Sequence, residues 1–161
     1  MTNSSHSKIK WNEVISSMVG VKISRSKDGL ELIQPNLINK ILKETWDRKT
    51  VHESPLPEGF DRNFIAEESN VKPTEYLPLI GSLNYISIGT RPGITYAVNC
   101  LERFPFRPSF IHWKALKHLI GYLAETKERV LRICPSITPT NTVECYGDAN
   151  WGGTQDLCMG S

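Results

Sequence analysis

Between residues 76 and 123 apolar side chains recur at helical spacing in three successive stripes, and prolines separate the stripes. Tyr76, Leu79, Ile80, Leu83 and Ile86 fall on one face of a first helix. Ile94, Ala97, Val98, Leu101 and Phe104 form a second face after Pro92. Trp113, Leu116, Ile120 and Leu123 form a third, on a helix predicted over 110–126, the longest of the chain, with Pro108-Ser109 as its start and cap. The middle of the chain is therefore a helix-rich block. Pro78 is compatible with the first helix if it lies in the first turn, where a missing N–H removes no hydrogen bond.

The flanks have a different period. Val19, Val21 and Ile23 alternate with Gly20, Lys22 and Ser24, and Asp28-Gly29 is a turn signal, so residues 18–33 read as a β-hairpin. Leu37, Ile38, Ile41 and Leu42 then predict a short amphipathic helix ending near Trp46. Residues 50–73 carry Pro55, Pro57, Gly59 and Pro73 among dispersed charges, the composition of an irregular and mobile connector. Two strand-like runs, 130–133 and 143–146, close the chain around a Pro/Thr/Ser-rich loop. The expected class is α+β: an N-terminal hairpin, a helical bundle and an unfinished β end.

Composition narrows the function classes. At 161 residues, 39% hydrophobic and 22% charged, the chain has the balance of a soluble domain with a modest core. No apolar run reaches the roughly 18–20 residues of a membrane span, and residues 1–10 lack the apolar stretch of a secretory signal. An intracellular location follows, cytoplasmic or nuclear, with no membrane partner and no small-molecule substrate. The net charge of +2 is too small to imply nucleic acid by itself, so any electrostatic case rests on local patches. Cys100, Cys134, Cys145 and Cys158 form no C-x-x-C pair, which argues for free thiols over a zinc site or a disulfide framework.

One patch is legible. Lys114, Lys117, His118 and Gly121 share a face of the third helix, apart from its apolar stripe. Such a face is either a solvated surface or a track for phosphates, and Arg91, Arg103 and Arg107 are candidates to extend it. Trp113 reads as a core anchor and His112 as a capping or surface residue. His112 and His118 stand six apart, off the spacing that two ligands on one helix need, so neither is assigned a metal.

A specific resemblance joins these segments. Tyr76, Ile80-Gly81-Ser82-Leu83, Tyr85, Thr90-Arg91-Pro92, Pro108, His112-Trp113, Tyr122-Leu123, Thr126 and Tyr146-Gly147-Asp148-Ala149-Asn150-Trp151-Gly152-Gly153 follow one another in a telling order. Together they resemble the Pol polyprotein of copia-type LTR retrotransposons, where such a run joins the end of the reverse transcriptase to the start of ribonuclease H. The resemblance implies a tail at 1–17, then the end of the palm with a primer-grip-like hairpin and a first thumb-like helix at 18–49. A linker at 50–73, a helical thumb and connection at 74–128 and an incomplete start of ribonuclease H at 129–161 complete the scheme. Val19-Gly20 would be the tight-hairpin pair that lies against the primer strand, where a residue without Cβ lets backbone approach a sugar-phosphate closely. The family usually has Asp after Arg-Pro, where this chain has Gly93, a weaker helix starter by about 1 kcal/mol relative to Ala.

Asp148 would be the first metal ligand of the ribonuclease H site, which in the parent enzyme holds two Mg²⁺ ions about 3.5–4 Å apart. Asn150 stands where the family has a second Asp, and the only acidic residue after Asp148 is Asp156. One carboxylate does not hold Mg²⁺, which needs several oxygen ligands. The expectation is a fragment or decayed copy of a reverse transcriptase/ribonuclease H polyprotein that is inactive alone and binds no cofactor. Its partners would be an RNA–DNA or DNA duplex, held weakly and without sequence preference, and retrotransposon Pol or Gag-Pol polypeptides. Val19, Gly20, Arg91, Lys114, Lys117 and His118 would make the duplex contact. The alternative is a repurposed helical protein-interaction module.

Overall fold

The computed structural model describes residues 15–47, 51–60 and 71–134. Strands β1 (Ser17–Met18), β2 (Val21–Ser26) and β3 (Gly29–Ile33) form an antiparallel meander, and β4 (Leu131–Ile133) adds to its far edge in the order β1-β2-β3-β4. Between β3 and β4 lie helices α1 (Pro35–Thr45), α2 (Pro73–Gly89), α3 (Thr95–Glu102) and α4 (Phe110–Glu125), with a single 3₁₀ turn at Pro92–Ile94. The expected α+β class holds, as a four-stranded antiparallel sheet beside four helices.

The hairpin is real, with its turns displaced from the simple alternation. Met18 pairs with Val21, so Val19 and Gly20 are a two-residue turn rather than strand, with φ of 50° and 77°. Two positive φ angles in succession suit the twist of a tight hairpin, and a β-branched residue adopts one only under constraint. The second turn is Lys27-Asp28, since Ser26 pairs with Gly29.

The run 130–133 was expected to open a separate β end. Its strand instead pairs with β3, with Glu31 opposite Arg132, and Arg132 Nε donates to Glu31 Oε1 at 2.9 Å. Placing opposite charges across an antiparallel pair is worth roughly 0.2–1 kcal/mol. Gly29 permits the pairing: at φ 152° a Cβ there would collide with the Ile133 carbonyl. The second expected strand, 143–146, lies outside the described residues.

The dry core is helical. Ile38 and Ile41 of α1, Leu83 and Ile86 of α2, Val98 and Leu101 of α3, and Leu116, Ile120 and Leu123 of α4 are buried in one cluster, and among the described residues no strand residue joins it. Full burial of such side chains contributes roughly 1.5–3 kcal/mol each. Tyr76 anchors α2 on α3, donating from its fully buried hydroxyl to the Leu101 carbonyl at 2.9 Å, and burial pushes its phenol pKa up.

Two expectations need correction. Pro78 is interior rather than in the first turn, because α2 already begins at Pro73. The lost backbone bond costs about 3 kcal/mol in an ordinary helix, and burial of Leu79, Ile80 and Leu83 on the same helix offsets it. Among the described residues the longest helix is α2, at 17 residues against 16 for α4. Residues 51–60 of the connector are irregular, as expected, and Leu56 and Phe60 pack on the core. Among the described residues no helix is long and apolar enough to cross a membrane.

Candidate functional site

The residues expected to touch nucleic acid fall in three places. The first is the Val19-Gly20 turn, where Val19 is 75% exposed. Tyr85 of α2 donates its hydroxyl to the Val19 carbonyl at 2.6 Å, across 66 residues of sequence. The turn is thereby tied to the helical block at a fixed angle, with the Gly20 backbone bare of side chain and nothing within 4 Å of where a Cβ would be.

The second place is the outer face of α4, and it is not the continuous track expected. Lys117 Nζ donates to the Thr45 carbonyl at 2.6 Å and lies 5.3 Å from the Trp113 ring centroid. It caps the C-terminus of α1, where a cation is favoured by the helix dipole. His118 bonds through Nε2 to the Ser54 carbonyl at 3.0 Å and stacks on His52 with ring centroids 3.6 Å apart. Burial and the neighbouring His52 lower the His118 pKa, against a smaller upward pull from the Ser54 carbonyl. Gly121 is buried. Lys114 alone of this set is exposed, at the rim of a cleft of about 380 Å³ that Pro57, Phe60 and Ile111 help to line. The stripe read from the helical wheel is thus divided: two of its members strap α4 to α1 and to residues 51–60.

Arg91 is the third place, and it is a strut. It is 6% exposed. Its backbone N–H bonds the Ile86 carbonyl at 2.9 Å, closing α2, while Nη1 donates to the Thr126 carbonyl at 2.8 Å and Nη2 to Thr126 Oγ1. A guanidinium on the last carbonyls of α4 satisfies groups that a helix end leaves open. Burial lowers its pKa, Tyr122 opposes that shift and Arg129 adds to it. An exposed extension of the α4 face through Arg91 is therefore corrected to an internal clamp between the ends of α2 and α4.

His112 is a cap, as expected, and wholly buried. Its Nδ1 accepts the Ser109 N–H at 3.0 Å and lies 2.8 Å from Ser109 Oγ, and its ring stacks on Phe104 at 3.8 Å. Cys100 is free and buried, and Cys134 is free and exposed. Asp148, with Asn150, lies outside the described residues. Among the described residues no group of three or more His, Cys, Asp or Glu side chains could hold a metal ion. The spacing gave no sign of two further features: Gln34 accepting from Thr90 Oγ1 at 3.0 Å, and Arg129 donating to the Tyr122 hydroxyl at 3.2 Å. Both bring together residues far apart in the chain or on different elements.

The relatives of this sequence place the chain in a class of retroelement polyproteins. The chain is 32% identical over 150 residues to the retrovirus-related Pol polyprotein from transposon RE1 of Arabidopsis thaliana, covering 92% of this chain and 10% of that protein. It is 31% identical over the same shares to the corresponding polyprotein from transposon RE2 of the same plant. It is also 34% identical over 83 residues to the secreted RxLR effector protein 161 of Plasmopara viticola, covering 52% of this chain and 57% of that protein. The chain belongs to the copia-type, retrovirus-related Pol family and spans about a tenth of the length of the Pol relatives it matches. No family model and no solved structure matches.

Proposed function

We propose that this chain is a Pol-derived segment that contacts an RNA–DNA or DNA duplex weakly and without sequence preference, and that it has no polymerase or ribonuclease H turnover by itself. The observation that carries the duplex contact is the Val19-Gly20 turn. It is exposed, holds two positive φ angles, and is bonded to Tyr85. A bare backbone held at a fixed angle can meet a sugar-phosphate closely, and the similarity to Pol polyproteins supplies the duplex. Lys114 is the exposed cation of α4 that would add a phosphate contact.

The absence of turnover rests on chemistry. Two-metal hydrolysis requires a cluster of carboxylates, and the resemblance assigns only Asp148 to that role in this sequence. Mg²⁺ belongs to the parent enzyme's reaction, and Pol or Gag-Pol polypeptides are the protein partners this reading implies. Binding of a labelled RNA–DNA hybrid by the purified chain, titrated with salt, tests the contact. The expected affinity falls steeply between low and moderate salt as phosphate counterions compete. Affinity indifferent to salt, or Mg²⁺-dependent primer extension or hybrid cleavage by the chain alone, would overturn the reading.

A second reading has its own observation. Leu77, Tyr85 and Ile88 lie along the outer face of α2 and are 39%, 43% and 77% exposed. Gly81 sits between them with open space above it. An apolar stripe of that kind suits a helical interaction module, and the related secreted effector is a short protein that this chain more than half covers. Binding to a protein through this face would respond little to salt.

A further inference from the structure

A second cleft, of about 190 Å³, opens between the 3₁₀ turn and the end of α4, and two arginines meet there. Arg91 and Arg129 both line it, with Tyr122 and Gly93. Arg129 Nη1 donates to the Tyr122 hydroxyl at 3.2 Å, and Arg91 gives bonds from Nη1 and Nη2 to Thr126. A guanidinium has five N–H donors, so both side chains keep donors after these bonds. Neither forms an ion pair with a carboxylate among the described residues: the pairs there are Lys72–Glu75, Lys127–Glu128 and Arg132–Glu31. The nearest acid in sequence, Glu128, is 86% exposed and faces Lys127.

Two like charges in one cleft repel unless an anion lies between them. The dipole at the end of α4 meets part of the Arg91 charge through Thr126, and the exposed Arg129 side chain meets, among the described residues, the neutral Tyr122 phenol. Burial and, to a smaller extent, Arg129 act against the charged form of Arg91, Tyr122 favours it, and a bound anion would offset the repulsion from Arg129. The volume equals several waters of about 30 Å³ each, enough for an anion of a few heavy atoms. Forked guanidinium donors match phosphoryl oxygens in geometry.

We propose that this cleft is a phosphoryl-oxyanion site, with Arg91 and Arg129 as the donors and the Tyr122 hydroxyl between them. The oxyanion is either a free phosphate or a phosphate of a nucleic-acid backbone. The site stands apart from the Val19-Gly20 turn and Lys114, so it holds whether or not those residues touch a duplex.

Gly93 provides a clean perturbation. It lines the cleft, and a Cβ built on it meets nothing within 4 Å. Gly93→Asp therefore brings a carboxylate to the cleft lining from a position with room for its Cβ, while Arg129→Gln removes an exposed donor outside the core. The test is thermal unfolding of the full chain in inorganic phosphate against chloride at matched ionic strength. Wild type and Lys114→Gln should show a saturating rise of about 2–4 °C in phosphate, and Gly93→Asp and Arg129→Gln should lose it. A hybrid duplex that displaces phosphate assigns the site to backbone phosphates, and one that does not assigns it to free phosphate. No rise in wild type, or an equal rise in all four proteins, overturns the proposal. Loss of hybrid binding in Lys114→Gln with the phosphate effect intact would separate the two sites.

Discussion

The helical block and the sheet of this molecule hold together by different means. Among the described residues every fully buried apolar side chain belongs to the block, drawn from its four helices and the 3₁₀ turn. The described strands contribute none, and their residues are all half-buried or exposed. What fixes the sheet is a set of specific attachments: Tyr85 on the Val19 turn, the Glu31–Arg132 pair, and Gly29 beneath Ile133. The block is stabilised by area removed from water, which is spread over many residues. The sheet is positioned by single contacts, which are easier to break one at a time.

That contrast can be broken first in the core. Leu116→Ala removes a fully buried side chain of α4 and is expected to cost about 2–5 kcal/mol. Ile23→Ala in the half-buried β2 should cost under about half as much, since less apolar area is lost. Denaturant midpoints of the two variants check the ranking, and equal losses would dissolve the distinction.

The clamp comes next. Arg91→Met keeps much of the buried volume but removes the bonds to Thr126. Hydrogen bonds to a charged group contribute about 1.5–3 kcal/mol, and the loss should appear in unfolding experiments together with faster amide exchange at the end of α4. Arg91→Lys should recover little of it, because an ammonium does not reproduce the fork.

At the sheet, Gly29→Ala meets both an unfavourable φ and the Ile133 carbonyl. A positive φ on a non-glycine residue costs about 1–3 kcal/mol, and here the loss should fall on one strand pair. Amide exchange of Leu131 and Ile133 should accelerate while that of α2 and α4 stays slow. Uniform acceleration would mean the sheet and block unfold as one.

The smallest effect concerns residues 51–60. His118 has its pKa lowered in the folded protein, chiefly by burial and then by His52. The unfolded chain therefore binds the proton more readily. Stability from this contact is complete above the ordinary imidazole value of about 6.5 and is lost as pH falls through the window below it. Protease nicking between residues 51 and 60 should rise with acidification, and His118→Gln should flatten that dependence.

The helices were legible because their apolar residues repeat at a period that a core can read: the stripes of Leu83, Val98 and Leu116 all close on one another. The hairpin was legible from alternation and Asp28-Gly29, but its first turn was not, since Val19 has strand character and only the Met18–Val21 pairing puts it in a turn. The pairing of β4 with β3 joins residues about a hundred positions apart, and no local period encodes that. Charged residues were the least legible. A wheel shows that Lys114, Lys117 and His118 share a face, yet not that α1 and residues 51–60 arrive to occupy two of them. Arg91 likewise reads as surface charge until the end of α4 is laid over it. The family motifs located the segment, and several of their residues, among them Tyr76, Arg91 and His112, are buried fastenings of the fold.

The functional claim puts the duplex on the attached turn, which Tyr85 holds at one end of the outer face of α2, and on Lys114, leaving the Leu77 end of that face free. Amide hydrogen exchange of the chain with and without an RNA–DNA hybrid at low salt addresses it directly. Slowed exchange around Val19, Gly20 and Lys114, with α2 near Leu77 unchanged, is the predicted pattern. Protection confined to the Leu77–Ile88 side of α2, or none anywhere, would contradict it.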